Sequence, residues 1–154
     1  MTITTAPHLR LSVARDAQGS YKAMGAFSGS VELDSKLRHL VDVRASQING
    51  CAFCIDMHTR EARAEGETER RLYAVAAWRE SPLFSERERA AFAFTEAMTL
   101  IAKDGVPDDV YEAAAQQFST NELAQLMMAV AAINSWNRLM VASGAVYEAP
   151  EDRD

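Results

Sequence analysis

Residues 33–63 read LDSKLRHLVDVRASQINGCAFCIDMHTREAR, and the reading of this stretch decides the fold. Asp34 is of the type that caps a helix N-terminus, and Leu37, Leu40, Val41 and Arg44 come after it at three- and four-residue spacing. Asn49-Gly50 can adopt the left-handed conformation that closes a helix. A second helix then starts around Cys51 and runs to about Ala64, where Gly66 separates it from the next helix.

The same pattern extends outward in both directions. Upstream, Tyr21, Met24 and Phe27 fall at helical spacing and predict a helix over 11–27, diluted by Gly19 and Gly25 and broken by Ser28-Gly29-Ser30. Downstream, Leu72, Tyr73, Val75, Ala76 and Trp78 predict a helix that Ser81-Pro82 stops. Ser85 and Glu88 form a capping-box pattern ahead of an apolar run from Ala90 to Ile101. Pro107 suits the first position of a helix over 107–118. Ser119 and Glu122 repeat the capping box and open the longest helix, about 121–143, which Gly144 closes. No credible strand, repeat or linker is present. The expectation is a single all-α domain over 11–146, a bundle of about six to seven helices with no sheet. An N-terminal arm (1–10) precedes it, and an acidic disordered tail (147–154) comes after it.

The bulk numbers agree with such a domain. A chain of 154 residues with 48% hydrophobic and 25% charged residues can bury a single core. The net charge of −6 argues against nucleic acid and anionic membranes, because phosphate binding needs clustered Lys and Arg. No uncharged apolar run reaches the ~20 residues of a transmembrane helix. The first residues, MTITTAPHLRLSVARD, lack the basic and apolar regions of a signal peptide, so the cytoplasm is the expected location. Thiols stay reduced there, and a close Cys pair then points to redox catalysis or metal rather than to a structural staple.

Cys51 and Cys54 are the only cysteines, and His58 lies beyond them on the same helical face. Near the start of a helix, free N–H groups and the dipole favour the thiolate, which is the reactive form. His58, one turn beyond Cys54, can take a proton or pair with the resulting anion. Two thiols three apart on a helix can close a disulfide with little backbone movement. Peroxide would oxidise one thiol to sulfenic acid, the other would condense with it, and an external reductant would reopen the pair. The rival reading is a non-enzymatic zinc- or ligand-binding module built from Cys51, Cys54 and His58, with His39 as fourth ligand if the two helices fold together. The plainest reading is a pair of core cysteines beside a solvated histidine.

The segment 33–63 closely resembles the core of the AhpD-like alkylhydroperoxidases, within the carboxymuconolactone decarboxylase superfamily. The pattern S-Q-I-N-G-C-x-x-C-x-x-x-H carries the resemblance. The stretches 85–101 and 131–143 look like the family's middle and closing helices, so it covers roughly 20–146. It implies a helical bundle assembling as a trimer or hexamer, with thiol peroxidase activity on hydrogen or organic peroxides. It implies that Cys54 meets the peroxide, that Cys51 resolves it and faces the reductant, and that His58 promotes Cys54 ionisation. The reductant would be a lipoyl domain, a thioredoxin-like protein or a small dithiol. No metal or flavin is implied, because the chemistry sits on the thiols. One departure stands out: twelve residues before the first Cys, where such sequences usually place a proton-accepting glutamate, this chain has His39. A neutral imidazole accepts a proton but brings no negative charge.

The other polar residues near the motif have plainer expectations. Asp42, one turn after His39, either orients that ring or is a solvated helix acid. Ser46 and Asn49 are expected to satisfy backbone groups at the helix break. Asp56 is expected to be a solvated acid. Asn134, Trp136 and Asn137 sit in the long helix among apolar residues, and the polar pair there suggests buried hydrogen bonds, at a subunit interface if the chain assembles.

Overall fold

The computed structural model describes residues 8–147. Residues 1–7 and 148–154, which hold most of the expected arm and tail, lie outside the described residues. The order is α1 (Val13–Asp16), α2 (Gln18–Gly29), α3 (Ser35–Asn49), α4 (Ala52–Ala64), α5 (Glu69–Ala74), a 3₁₀ turn (Val75–Ala77), α6 (Glu86–Thr99), α7 (Ile101–Asp104), α8 (Asp108–Gln117) and α9 (Thr120–Ser143). The all-α expectation holds, and no strand occurs among the described residues. The helix count among them is nine rather than six to seven. Most of the excess comes from α1 and α7, of four residues each.

Local chemistry explains where the bounds moved. The helix expected over 11–27 breaks at Ala17 (φ −133°). Ser12 Oγ accepts from Arg15 N and Asp16 Oδ2 accepts from Ser12 N, so the first turn closes on itself as a separate unit. Pro107 is the N-cap of α8 rather than its first helical residue. Both predicted capping boxes are present, Ser85–Glu88 on α6 and Ser119–Glu122 on α9, each satisfying two donors that a helix start leaves open. Gly144 closes α9 with φ +68°, and a Cβ there would strike the His8 carbonyl oxygen. The chain start is held at this end too, where Arg10 N donates to Ser143 O at 2.8 Å.

α3 is the centre of the bundle. It sends Leu37 and Val41 into a cluster with Phe94, Leu126 and Val130 from α6 and α9. Leu40 and Val43 join Trp78, Phe84 and Phe92. Ala45 joins Cys51, Cys54 and Ile133. A helix that feeds three clusters is buried around most of its circumference, so its polar residues are buried with it. Asp42 and Ser46 are accordingly buried on α3. No helix among the described residues is long and apolar enough to cross a membrane.

Candidate active site

The site begins at the turn between α3 and α4. Gly50 takes φ +66°, which reverses the chain after Asn49 and lays α4 against α3. Cys51 is the N-cap of α4, and its Sγ accepts from Cys54 N at 3.3 Å. Cys54 is the third helical residue, so both sulfurs sit in the positive field of the helix start. They are joined as a disulfide across a Cα–Cα distance of 5.4 Å. Each residue is only 1% exposed.

His58 lies one turn beyond Cys54. Its Nδ1 is 3.0 Å from Glu61 Oε2 and 3.8 Å from Asp42 Oδ2. A carboxylate can only accept, so Nδ1 is the donor of this pair, and in a neutral ring Nε2 is the nitrogen left with a lone pair. The His58 ring is therefore oriented by a glutamate one turn further on its own helix.

His39 faces the same group from α3, its ring centroid 6.3 Å from that of His58. Its Nδ1 stands 3.8 Å from Glu61 Oε2 and its Nε2 3.2 Å from Glu65 Oε1. Both nitrogens are buried, and neither has a hydrogen bond of acceptable geometry. His39, His58 and Glu61 each present one ligand atom, all within 4.8 Å of one another. The rival set of Cys51, Cys54, His58 and His39 is not brought together as four ligands: the two histidines converge on Glu61, while the cysteines are bonded to each other.

Asp42 is neither a solvated acid nor the partner that orients His39. It is buried, and Arg38 Nε donates to its two oxygens at 3.2 and 2.9 Å. Burial pushes its carboxyl above the usual range, against the opposing pull of His58 and Arg38. Asp56 meets its expectation more nearly, pairing with Arg60 at 2.8 Å.

A polar framework ties the motif to α9. Asn49 Nδ2 donates to Asn134 Oδ1 and to Asn137 Oδ1, both at 2.9 Å. Asn137 Nδ2 donates to Ser46 Oγ at 3.0 Å, and Ser46 Oγ donates to Asp42 O at 2.6 Å. These bonds lie within the chain, so the asparagines need no subunit interface to be satisfied. Ser46 does bond backbone as expected, but Asn49 bonds side chains of α9 instead.

A cavity of about 280 Å³ opens onto Cys54. Tyr21, Phe53, Met57, Ile133, Trp136 and Met140 give it apolar walls, while Arg38, Asp42 and His58 give it a polar end. Tyr21 packs edge-on against Trp136, with centroids 5.1 Å apart. Cys51 does not line this cavity. The sequence reading missed Glu61 and Arg38, although their i,i+3 and i,i+4 relations to His58 and Asp42 are readable from helix spacing. The Tyr21–Trp136 pair is 115 positions apart and leaves no local signal.

The chain is similar in sequence and fold to known proteins. Residues 18–97 match the carboxymuconolactone decarboxylase family profile. The chain is 40% identical to the uncharacterized protein YdfG of Bacillus subtilis (strain 168) over 121 residues, covering 79% of this chain and 82% of that protein. A crystal structure from Agrobacterium tumefaciens, of a protein of unknown function proposed to be the antioxidant defence protein AhpD, superposes with a TM-score of 0.87. It shows 37% identity over 92% of this chain and 99% of that one. The debrominase Bmp8 shares the fold at a TM-score of 0.78 and 19% identity, over 88% of this chain and 74% of its own. The helical bundle built around a buried Cys-x-x-Cys pair and the match over half the sequence agree: this chain belongs to the carboxymuconolactone decarboxylase family and has its AhpD-like fold.

Proposed function

We propose that the chain is a disulfide-cycling thiol peroxidase that reduces organic hydroperoxides. The observation that carries this reading is the apolar cavity in which Cys54, but not Cys51, shares a wall with His58. In the reduced protein His58 Nε2 takes the Cys54 proton, and the helix start stabilises the thiolate. The thiolate attacks the outer peroxide oxygen, the O–O bond breaks, and the alkoxide leaves as alcohol on taking a proton. Cys54 is then a sulfenic acid. Cys51, as thiolate, attacks the Cys54 sulfur and expels the oxygen as water, which forms the disulfide. One peroxide and two thiols have become alcohol, water and one disulfide.

Aromatic and thioether side chains on the cavity wall favour a hydroperoxide with an apolar organic group over hydrogen peroxide. Both sulfurs are nearly inaccessible, so a slender dithiol such as a lipoyl arm suits the reducing step better than a bulky thioredoxin-like protein. Homo-oligomerisation as a trimer or hexamer belongs to the same reading. The exposed apolar side chains Met128 and Val141 on α9 are suited to such contacts.

The test is anaerobic mass spectrometry of the reduced protein after one equivalent of cumene hydroperoxide. Wild type should lose two hydrogens. Cys51→Ser should gain one oxygen as a trapped sulfenic acid, and Cys54→Ser should show no change. An unchanged wild-type mass would overturn the proposal, and a sulfenic acid trapped only on Cys51 would reverse the order of attack.

A further inference from the structure

We infer that His39, His58 and Glu61 form a divalent-cation site, with zinc as its best-matched ion, and that its occupation switches off the base of the thiol chemistry. The second half rests on the peroxidase reading above; the first does not.

The geometry comes from three side chains on two helices. Two ligands ~2.0 Å from a tetrahedral ion lie roughly 3.3 Å apart. Glu61 Oε2 is 3.0 Å from His58 Nδ1 and 3.8 Å from His39 Nδ1, and all three ligand atoms fall within 4.8 Å of one another. The Glu61–His39 pair must close by about 0.5 Å and the widest pair, bounded at 4.8 Å, by up to about 1.5 Å, movements that side-chain rotation supplies. Two imidazoles and one carboxylate are a donor set that zinc accepts, with a fourth position left for water.

Three features favour a cation here. Both ring nitrogens of His39 are buried; Nε2 faces Glu65 at 3.2 Å, while Nδ1 has Glu61 no nearer than 3.8 Å and is left open to an ion. Glu65 stands close by, 3.2 Å from His39 Nε2, and adds negative charge around the ligands. Arg38, bonded to Asp42, is the cation already engaged there. The Glu61 side chain is 47% exposed, whereas His39 and His58 are 14% and 13% exposed, so an ion reaches the buried nitrogens along Glu61.

The consequence for the thiols comes from the tautomer. With Glu61 accepting from Nδ1, Nε2 of His58 is free to take a proton. A metal on Nδ1 displaces that proton, and a neutral ring then carries its hydrogen on Nε2. The ring can no longer accept from Cys54. Zinc binding and base function are mutually exclusive on this residue.

The experiment is calorimetric titration of zinc into the disulfide form, in which the thiols cannot bind metal. One zinc per chain is expected, with affinity at least tenfold weaker in His39→Gln and in Glu61→Gln, and unchanged in Asp56→Asn. Glu61 is half exposed, so its variant keeps the fold even if His39→Gln does not. No zinc uptake by the disulfide form, or equal affinity in both variants and wild type, overturns the site. In the reduced wild type, one equivalent of zinc should slow peroxide-dependent thiol loss, and Glu61→Gln should resist that slowing. Stoichiometric zinc on the disulfide form without inhibition of the reduced enzyme would retain the site and overturn the switch. Zinc binding in a chain inert to peroxide would overturn the peroxidase reading and leave the site standing.

Discussion

α3 carries Arg44 toward one cluster of charges and His39 with Asp42 toward another, and the two clusters are finished differently. In the first, Glu96 Oε1 accepts from Arg44 Nε and Trp78 Nε1, both at 2.8 Å, while Oε2 lies 2.6 Å from Arg79. Burial pushes the Glu96 carboxyl up, and the hydrogen bonds from Trp78, Arg79 and Arg44 outweigh it and hold it below its ordinary value. In the second, His39 has no good partner and burial holds Asp42 above the usual range despite Arg38. A satisfied buried charge stabilises one structure. A partly satisfied group of titratable side chains beside a cavity is poised for chemistry. The contrast separates an ionic cluster completed within the chain from one left open beside a cavity, although both hang from one helix.

Substitution should separate them by the quantity that changes. The largest effect is expected for His58→Gln, which removes the proposed base and leaves the fold. Peroxide turnover should fall by ~10²–10⁴-fold, with urea unfolding little changed. Steady-state rates at saturating dithiol give the first number. A variant that turns over like wild type would remove His58 from the mechanism. Glu96→Ala should do the reverse. It strands Arg44 and the Trp78 N–H and should cost about 3 kcal/mol of stability, read from urea midpoints, while thiol oxidation per folded molecule stays as in wild type.

A smaller effect probes the border between the clusters. Asn137 is 1% exposed and binds both Ser46 and Asn49. Asn137→Ala leaves Ser46 and Asn49 short of a partner and should destabilise by about 2 kcal/mol. Because Ser46 bonds to the Asp42 carbonyl, a modest fall in turnover should accompany the loss. A loss of stability without any change in turnover would show that the framework only holds α9 and does not position the site.

How much of this was legible in the sequence depends on the range of the signal. The capping boxes at Ser85 and Ser119, the left-handed Gly50 and Gly144, and the Cys51–Cys54–His58 face are written within a few residues of each other. Each was readable for that reason. Asp42 was misread because the visible pattern of Leu37, Leu40, Val41 and Arg44 gives α3 one apolar face. The burial of Val43, Ala45 and Ser46 shows that neighbours cover it on several sides. Glu61 was readable from its spacing to His58 but is of a type that usually sits in solvent. The cavity wall joins Tyr21 to Trp136 across the whole chain, and only the packing of α2 on α9 brings them together.

The finest test of the comparison is the sign of a pH dependence. Glu96 has a folded pKa below its unfolded value of ~4.3, so its contribution is present above that pH and is lost as pH falls through the lower folded value. Asp42 runs the other way. Its folded pKa lies above the unfolded ~3.9, so its contribution is full below that pH and is lost as pH rises through the raised folded value. The stability of wild type relative to Glu96→Gln should therefore grow as pH climbs from the acid side, and that relative to Asp42→Asn should shrink. Urea midpoints across a pH series measure both differences on the same samples. Slopes of the same sign would mean that the Arg38 pair holds Asp42 as firmly as Arg44, Trp78 and Arg79 hold Glu96. The distinction between a finished cluster and a poised one would then rest on His39 alone.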